Sequence, residues 1–594
     1  MHTNARHREF ADRRALVRAV LLLLMLWGGG CSGAIDNQSR TQQGGPIGVA
    51  GSGIAPGVGG SAAPPPSMNT QQQDDAMRAQ NPQLFDLAAM YFPGQSAAGG
   101  KPRLFRLTRT QLDRTTQTLL PKSYMTTAEA TLPRDPLQTN YEYADNLSWN
   151  PANFVPYTGW IGAIAAKVRT DPKQVVDCSA QSDAPACLDM QARRFVTRAF
   201  RGVTTEAQLA RYSRFFTDSV MAVGMPGAAA DLVEVTLSSP SYVFREEVQT
   251  DARRVLLPAQ LLQVLSYTLA DAPPEALGLA SADAAMLVGT ADAQRRTVET
   301  LLATPQARDK LLRFFMAWLE VKEVADFTIS TNVFPEWTPA VAQAVVDETR
   351  KFLQQQLMGA APALKDIAQS KKAFVSQASA FIYGSDARAS GMLVDVDPAE
   401  RVGIFTQPAV IASHSGPTNT RLVKRGVFFT RKVMCLPLGA PPPGIDTTVP
   451  MTAGMTERQR IDGITGKQPC LGCHAFINPF GFMQESYDAI GRFRTRDEGL
   501  PVDSSISVGF LEEGPLMTKT SVEALTAFTG SSRFKQCFTR QLFRFYLGRD
   551  ELPTDDPLLR QLFFTFASAD KQDIVGMLRQ LAGAEAFAQR TEVP

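Results

Sequence analysis

Histidine is scarce, at 4 in 594 residues, and two of the four, His2 and His7, lie in the first ten positions. Most hydrolytic designs need more imidazole than that, and no Ser/His/Asp triad, phosphate-cradling glycine loop or paired-carboxylate arrangement stands out. An excess of one charge is also missing. Lys and Arg number 60 against 58 Asp and Glu, and no basic run carries interleaved aromatics, so nothing points to nucleic acid. The apolar run from Ala19 to Trp27 is too short to span a bilayer, which takes about 20 residues.

What the chain does hold is Cys470-Leu471-Gly472-Cys473-His474, a C-x-x-C-H. With 7 Cys and 4 His in the chain, random placement gives this pattern roughly 5 × 10⁻⁴ times per sequence. The spacing reads as covalent attachment of one haem c: two thiols add across the porphyrin vinyl groups and His474 takes one axial position on iron. For the second axial position the candidates are Met517, where a cytochrome c methionine loop would fall, and His414. An open site is the third possibility. Met483, nine residues past His474, would reach over the haem edge only awkwardly, and Met434 reads as core. A carbonyl near Pro479 is expected to orient the imidazole through its other nitrogen. Arg492, Arg494 and Arg496 either meet haem propionates or form a charged turn with Glu485 and Asp488. Two other readings of the motif stay open. They are a small Cys470–Cys473 disulfide in a binding or scaffolding protein, and a zinc site lacking its fourth ligand.

Residues 1–31 read as a lipoprotein-type export signal, with five arginines, the apolar run and then Gly28-Gly29-Gly30-Cys31. Cys31 becomes the lipidated N-terminus. Gly28 departs from the usual aliphatic residue, so cleavage without lipidation is the alternative. Residues 32–75, rich in Gly, Ser, Pro and Gln, form a tether that lets the globular part stand clear of a membrane. An oxidising compartment follows, and four cysteines remain for it. Cys178 and Cys187 bracket a short loop and pair locally. Cys435 and Cys537 either pair by elimination or stay as two buried thiols.

From about residue 80 the apolar spacing is helical, and the fold class is all-α: a multi-helical body, long irregular loops and a C-terminal cytochrome c-like unit. The expected segments are helical domains over 80–250 and 251–385, a cytochrome-like segment over 386–510 and a C-terminal helical segment over 511–594. The aromatic-rich stretch 131–160 is expected to be an irregular loop. In the C-terminal unit Thr456 caps a short helix. A helix over 533–547 then presents Phe534, Phe538, Leu542 and Phe545 to pack across it.

Several of these stretches resemble a known family, the planctomycete-cytochrome-type multidomain proteins. The stretches are Arg106 to Gln111, Ala199-Phe200-Arg201, Leu237 to Glu246, Phe314 to Leu319, Arg401 to Ala409, Lys424-Arg425-Gly426, Cys470 to Arg494 and Leu547-Gly548-Arg549. Asn478 departs from the family's usual Asp before Pro479. The resemblance implies an exported, helical, cytochrome-like protein and names no reaction. The leading functional expectation is a membrane-tethered electron carrier whose redox partner is unknown. The runner-up is a haem peroxidase or oxygenase using the helical region as a substrate pocket. The third is the scaffolding lipoprotein.

Overall fold

The computed structural model describes residues 70–590, apart from 96–99, 143–146, 179–184, 249, 252–253, 385–391, 441–448 and 451. The signal, Cys31 and nearly all of the tether lie outside the described residues. Residues 68–594 form one compact unit, and it is predominantly helical, as expected.

Helix starts are written into the sequence in two ways. Thr-x-x-Gln/Glu capping boxes at Thr108, Thr205, Thr456 and Thr520 satisfy the first free N–H groups of four helices. Asn81, Asn150, Thr304 and Thr338 cap helices whose first residue is proline, where the missing N–H costs nothing. The first half of the unit runs α1 (Thr70–Gln80), α2 (Pro82–Tyr91), β1 (Arg103–Arg106), α3 (Arg109–Leu119), α4 (Pro151–Thr170), α5 (Pro185–Ala199) and α6 (Glu206–Leu237). Then come β2 (Phe244–Glu247), α7 (Pro258–Ala270), α8 (Ala291–Leu302), α9 (Pro305–Trp318) and α10 (Pro339–Gln356). β1 and β2 pair antiparallel, Arg103 opposite Glu247. Two expectations need correcting here. α1 begins at Thr70, inside the expected tether. The expected loop 131–160 gives way at Pro151 to α4, started by the Asn150 cap.

The second half holds α11 (Leu422–Phe428), which runs into a π-helical turn at Phe429–Val433, then α12 (Glu457–Thr465) and α13 (Leu471–Phe482). α14 (Ser521–Gly530), α15 (Ser532–Leu547), α16 (Asp556–Ser568) and α17 (Ile574–Gly583) complete it. One hydrophobic core runs from Ala88 to Ala588 and joins α7, α9, α13, α15, α16 and α17. A second, built on α3 to α6, packs beside it through Tyr267.

The cytochrome c-like crossing of α15 over α12 is not what the structure has. Phe538 of α15 meets Phe314, Phe315 and Trp318 of α9, and Phe566 of α16; Phe534 meets Trp318, and Phe545 meets Phe314. The apolar face was legible, but its partner is α9. α12 instead packs on α13 and α11.

Three buried arginines from the family-like stretches have structural work. Arg201 donates to the carbonyls of Ser241, Tyr242 and Phe244, and Arg401 to those of Ile382, Thr406 and Gly491. Arg425 binds the carbonyls of Gln484, Tyr487 and Asp488 and the hydroxyl of Ser415. Each planar fork ties off several loop carbonyls that would otherwise be buried without partners.

Candidate functional site

Cys470 is the N-cap of α13, and Cys473 and His474 fall in its first turn. The helix is held from behind by α11, and two glycines allow the close approach. A Cβ on Gly426 would come 2.3 Å from the carbonyl of Ile477, and one on Gly481 would come 2.4 Å from that of Leu422. This crossing fixes α13 while leaving its first turn at the surface. Leu471 is exposed, Cys470, Cys473 and His474 are half-buried, and the space above Gly472 is open.

Cys470 and Cys473 are free thiols, whereas the other described cysteines are paired, Cys178 with Cys187 and Cys435 with Cys537. Both expected disulfides are therefore present, and they are consistent with an oxidising environment. The expectation of a Cys470–Cys473 bridge is not what the structure holds. Among the described residues no group of three or more His, Cys, Asp or Glu is placed to hold a metal ion, so the zinc arrangement is not assembled either.

The imidazole of His474 is oriented. Its Nδ1 lies 2.8 Å from Oδ1 of Asn478, one turn on, and Nδ2 of Asn478 donates to Oγ1 of Thr465 at 2.8 Å. The hydroxyl of Thr465 spends its own proton on the Ile461 carbonyl and therefore accepts from Nδ2, which turns Oδ1 of Asn478 toward the ring as the acceptor of the Nδ1 proton and leaves Nε2 free of that bond. The expected carbonyl near Pro479 is thus the side-chain carbonyl of the residue before it. Sequence reasoning missed Asn478 and Thr465 in this role, although the i, i+4 spacing of His474 and Asn478 on one helix face was the available signal.

The other named residues do not gather around the motif's ring. His414 is 3% exposed, its Nε2 is 3.0 Å from the Leu319 carbonyl, and its ring stacks on Phe428 at 3.9 Å. Burial holds it far down, at about 3, so it is a neutral donor to Leu319. Met517 is 79% exposed on a two-stranded ribbon, opposite Ser507. Arg492 is held by Asp488 at 2.8 Å and Glu336 at 3.1 Å, Arg494 by Asp497 at 2.5 Å, and Arg496 by the carbonyl of Gly499. All three are engaged within the charged turn, and Arg494 keeps its Nη2 without a partner among the described residues. Met483 and Met434 are fully buried in the core.

Two stretches match family models. Residues 401–497 match PSCyt3, a protein of unknown function (DUF1588), and residues 256–385 match PSD4, a protein of unknown function (DUF1592). Both are planctomycete cytochrome-type domains by name, in agreement with the resemblance carried by Arg401 to Arg494. No curated protein and no solved structure matches the chain.

Proposed function

We propose that the chain is an exported, c-type cytochrome-like electron carrier, anchored through a lipid on Cys31, with one haem bound covalently at Cys470 and Cys473 and axially at Nε2 of His474. The observation that carries this reading is the contrast among cysteines. Four pair off, while the C-x-x-C pair stays as thiols beside an imidazole whose Nδ1 is fixed and whose Nε2 is left available. The donor set fits the group, and the open space above Gly472 leaves room on the motif's face. When bound, haem supplies a one-electron couple.

The engagement of His414 with Leu319 and Phe428 leaves exposed Met517 as the second-ligand candidate. It also gives support to the alternative, a haem peroxidase or oxygenase with an open position, should Met517 not bind. The test is protein exported by a host with the haem-attachment machinery. The expected result is a mass gain of one haem, visible haem bands and loss of both in Cys470→Ser/Cys473→Ser. No mass gain sinks both readings. A low-spin ferric spectrum that turns high-spin in Met517→Ala supports the carrier, and a high-spin wild type supports the enzyme.

A further inference from the structure

A cleft of about 830 Å³ opens far along the chain from the C-x-x-C-H motif, between β1, the ends of α7 and α9, the loop after α9, α10 and the end of α15. Its volume lies in the range of small-molecule sites. None of its lining residues comes from the segment 351–544, so no residue of the motif lines it.

The cleft has a built cationic floor. Asp271, in the left-handed conformation just past α7, accepts from Nε2 of Gln111 at 2.8 Å, Nζ of Lys310 at 2.8 Å and the Arg313 guanidinium at 2.5 Å. Lys310 is 5% exposed and also donates to the Tyr267 carbonyl. Arg313 also donates to Asp309 at 3.3 Å, and over the whole lining seven Lys and Arg stand against five Asp and Glu, an excess of positive charge in a partly enclosed space. Such a charge is costly without a counter-ion. Glu142 also lines the cleft, but burial, with Asp135 and Asp271 nearby, pushes it up to about 7, so near neutral pH it supplies only part of that counter-charge.

Two buried donors in the same wall have no partner. The hydroxyl of Tyr546, a residue 3% exposed, has none, and Lys310 Nζ lies 5.3 Å from its ring. Nε of Arg106 is likewise unpaired, although the other end of that guanidinium holds Asp135 at 2.5 Å. Arg350 and Lys322 line the cleft as well, together with Glu320, Glu323 and Asp326. Each of the two unpaired donors needs a partner from outside the chain, a water or a ligand, and both meet in one cleft.

We propose that this cleft binds a small organic oxyanion, a carboxylate or phosphate ester, whose oxygens engage Lys310, Arg313 and the Tyr546 hydroxyl while its body lies along Phe545. The anion supplies the missing counter-charge, and Glu142 stands beside it as a hydrogen-bond donor in its protonated form.

Isothermal titration calorimetry of the full chain, at neutral pH, tests this with benzoate, inorganic phosphate and the neutral benzyl alcohol as probes. Saturable binding of benzoate or phosphate is expected, at least about tenfold tighter than benzyl alcohol. The tighter of the two anions identifies the headgroup. Arg313→Gln, which leaves Lys310 and Asp271 balanced, weakens the anion about tenfold or more, and Tyr546→Phe weakens it severalfold. Glu142→Gln removes a competing carboxylate, keeps a donor and binds the anion severalfold more tightly. A misfolded variant cannot mimic that gain. The proposal is overturned if neither anion binds saturably in the millimolar range, if benzyl alcohol binds equally well, or if Glu142→Gln weakens binding.

Discussion

Asn478 acts on His474 through one hydrogen bond, and the residue type at 478 sets how strongly the imidazole donates from its other nitrogen. A carboxylate there pulls the Nδ1 proton harder and makes Nε2 a better donor, which favours the oxidised metal. Under the haem reading, Asn478→Asp lowers the midpoint potential and Asn478→Leu raises it. The scale is roughly 60 mV for each tenfold difference in ligand affinity between oxidation states. Voltammetry giving both variants the same sign would contradict the role. The second residue-scale prediction concerns His414. Burial is the main cause of its low value of about 3, with Lys424, Arg425 and Lys322 adding repulsion and the Leu319 bond opposing. The unfolded chain takes up a proton near 6.5, so this contribution is fully present above 6.5 and is lost as pH falls below it. From pH 8 to pH 5 the loss is about 2 kcal/mol. Glu142, raised to about 7, works the other way, its contribution being lost as pH rises through 7. The measurement is therefore a difference: denaturant midpoints of wild type and His414→Leu at both pH values, with the variant expected to lack the 2 kcal/mol acid loss.

At the scale of elements, helix starts were legible and helix partners were not. The Thr456 box and the 533–547 periodicity located α12 and α15 to within a residue or two, because caps and apolar stripes are local. The partner of α15 was missed for a physical reason. Phe534, Phe538, Leu542 and Phe545 describe a face, and any complementary apolar face satisfies it; the one in place belongs to α9, more than two hundred residues earlier. α6 bends at Gly224, where φ is 73°, two residues before Pro226. Glycines were visible only as letters, and their contacts separate them. Gly426→Ala drives a Cβ into the Ile477 carbonyl and is expected to cost about 1–3 kcal/mol by forcing α11 and α13 apart. Gly472→Ala, on the open side of the same helix, is expected to be neutral or to stabilise the haem-free protein by up to about 1 kcal/mol. Equal costs in chemical denaturation would contradict the close-crossing account of how α13 is placed.

At the scale of the molecule, the three segments expected after residue 250 share one core, most of 80–250 builds a second beside it, and the chain returns on itself to tie its ends together. Arg560 of α16 binds Asp74 of α1 at 2.8 Å, and Arg590 joins Arg103 and Arg245 around buried Glu247. Ion pairs between positions this far apart leave no trace in composition or periodicity. The C-x-x-C-H motif, the strongest chemical signal in the sequence, sits at the rim of this core, with half-buried thiols and open space above Gly472. The main core runs from Ala88 to Ala588 through aromatic contacts that need no cofactor to close them. A cytochrome whose haem forms its core unfolds without it; under the haem reading this chain would fold first and carry the group at its edge. Cys470→Ser/Cys473→Ser is therefore expected to export normally, with the circular dichroism of the haem-free wild type and a melting temperature within about 2 °C of it. By contrast, Cys435→Ser/Cys537→Ser opens a bridge of sequence separation 102 between the π-helical turn and α15, and is expected to lose about 2–5 kcal/mol. If the motif variant were the one that unfolded, the thiols would belong to the core, and the rim placement that underlies the carrier reading would be wrong.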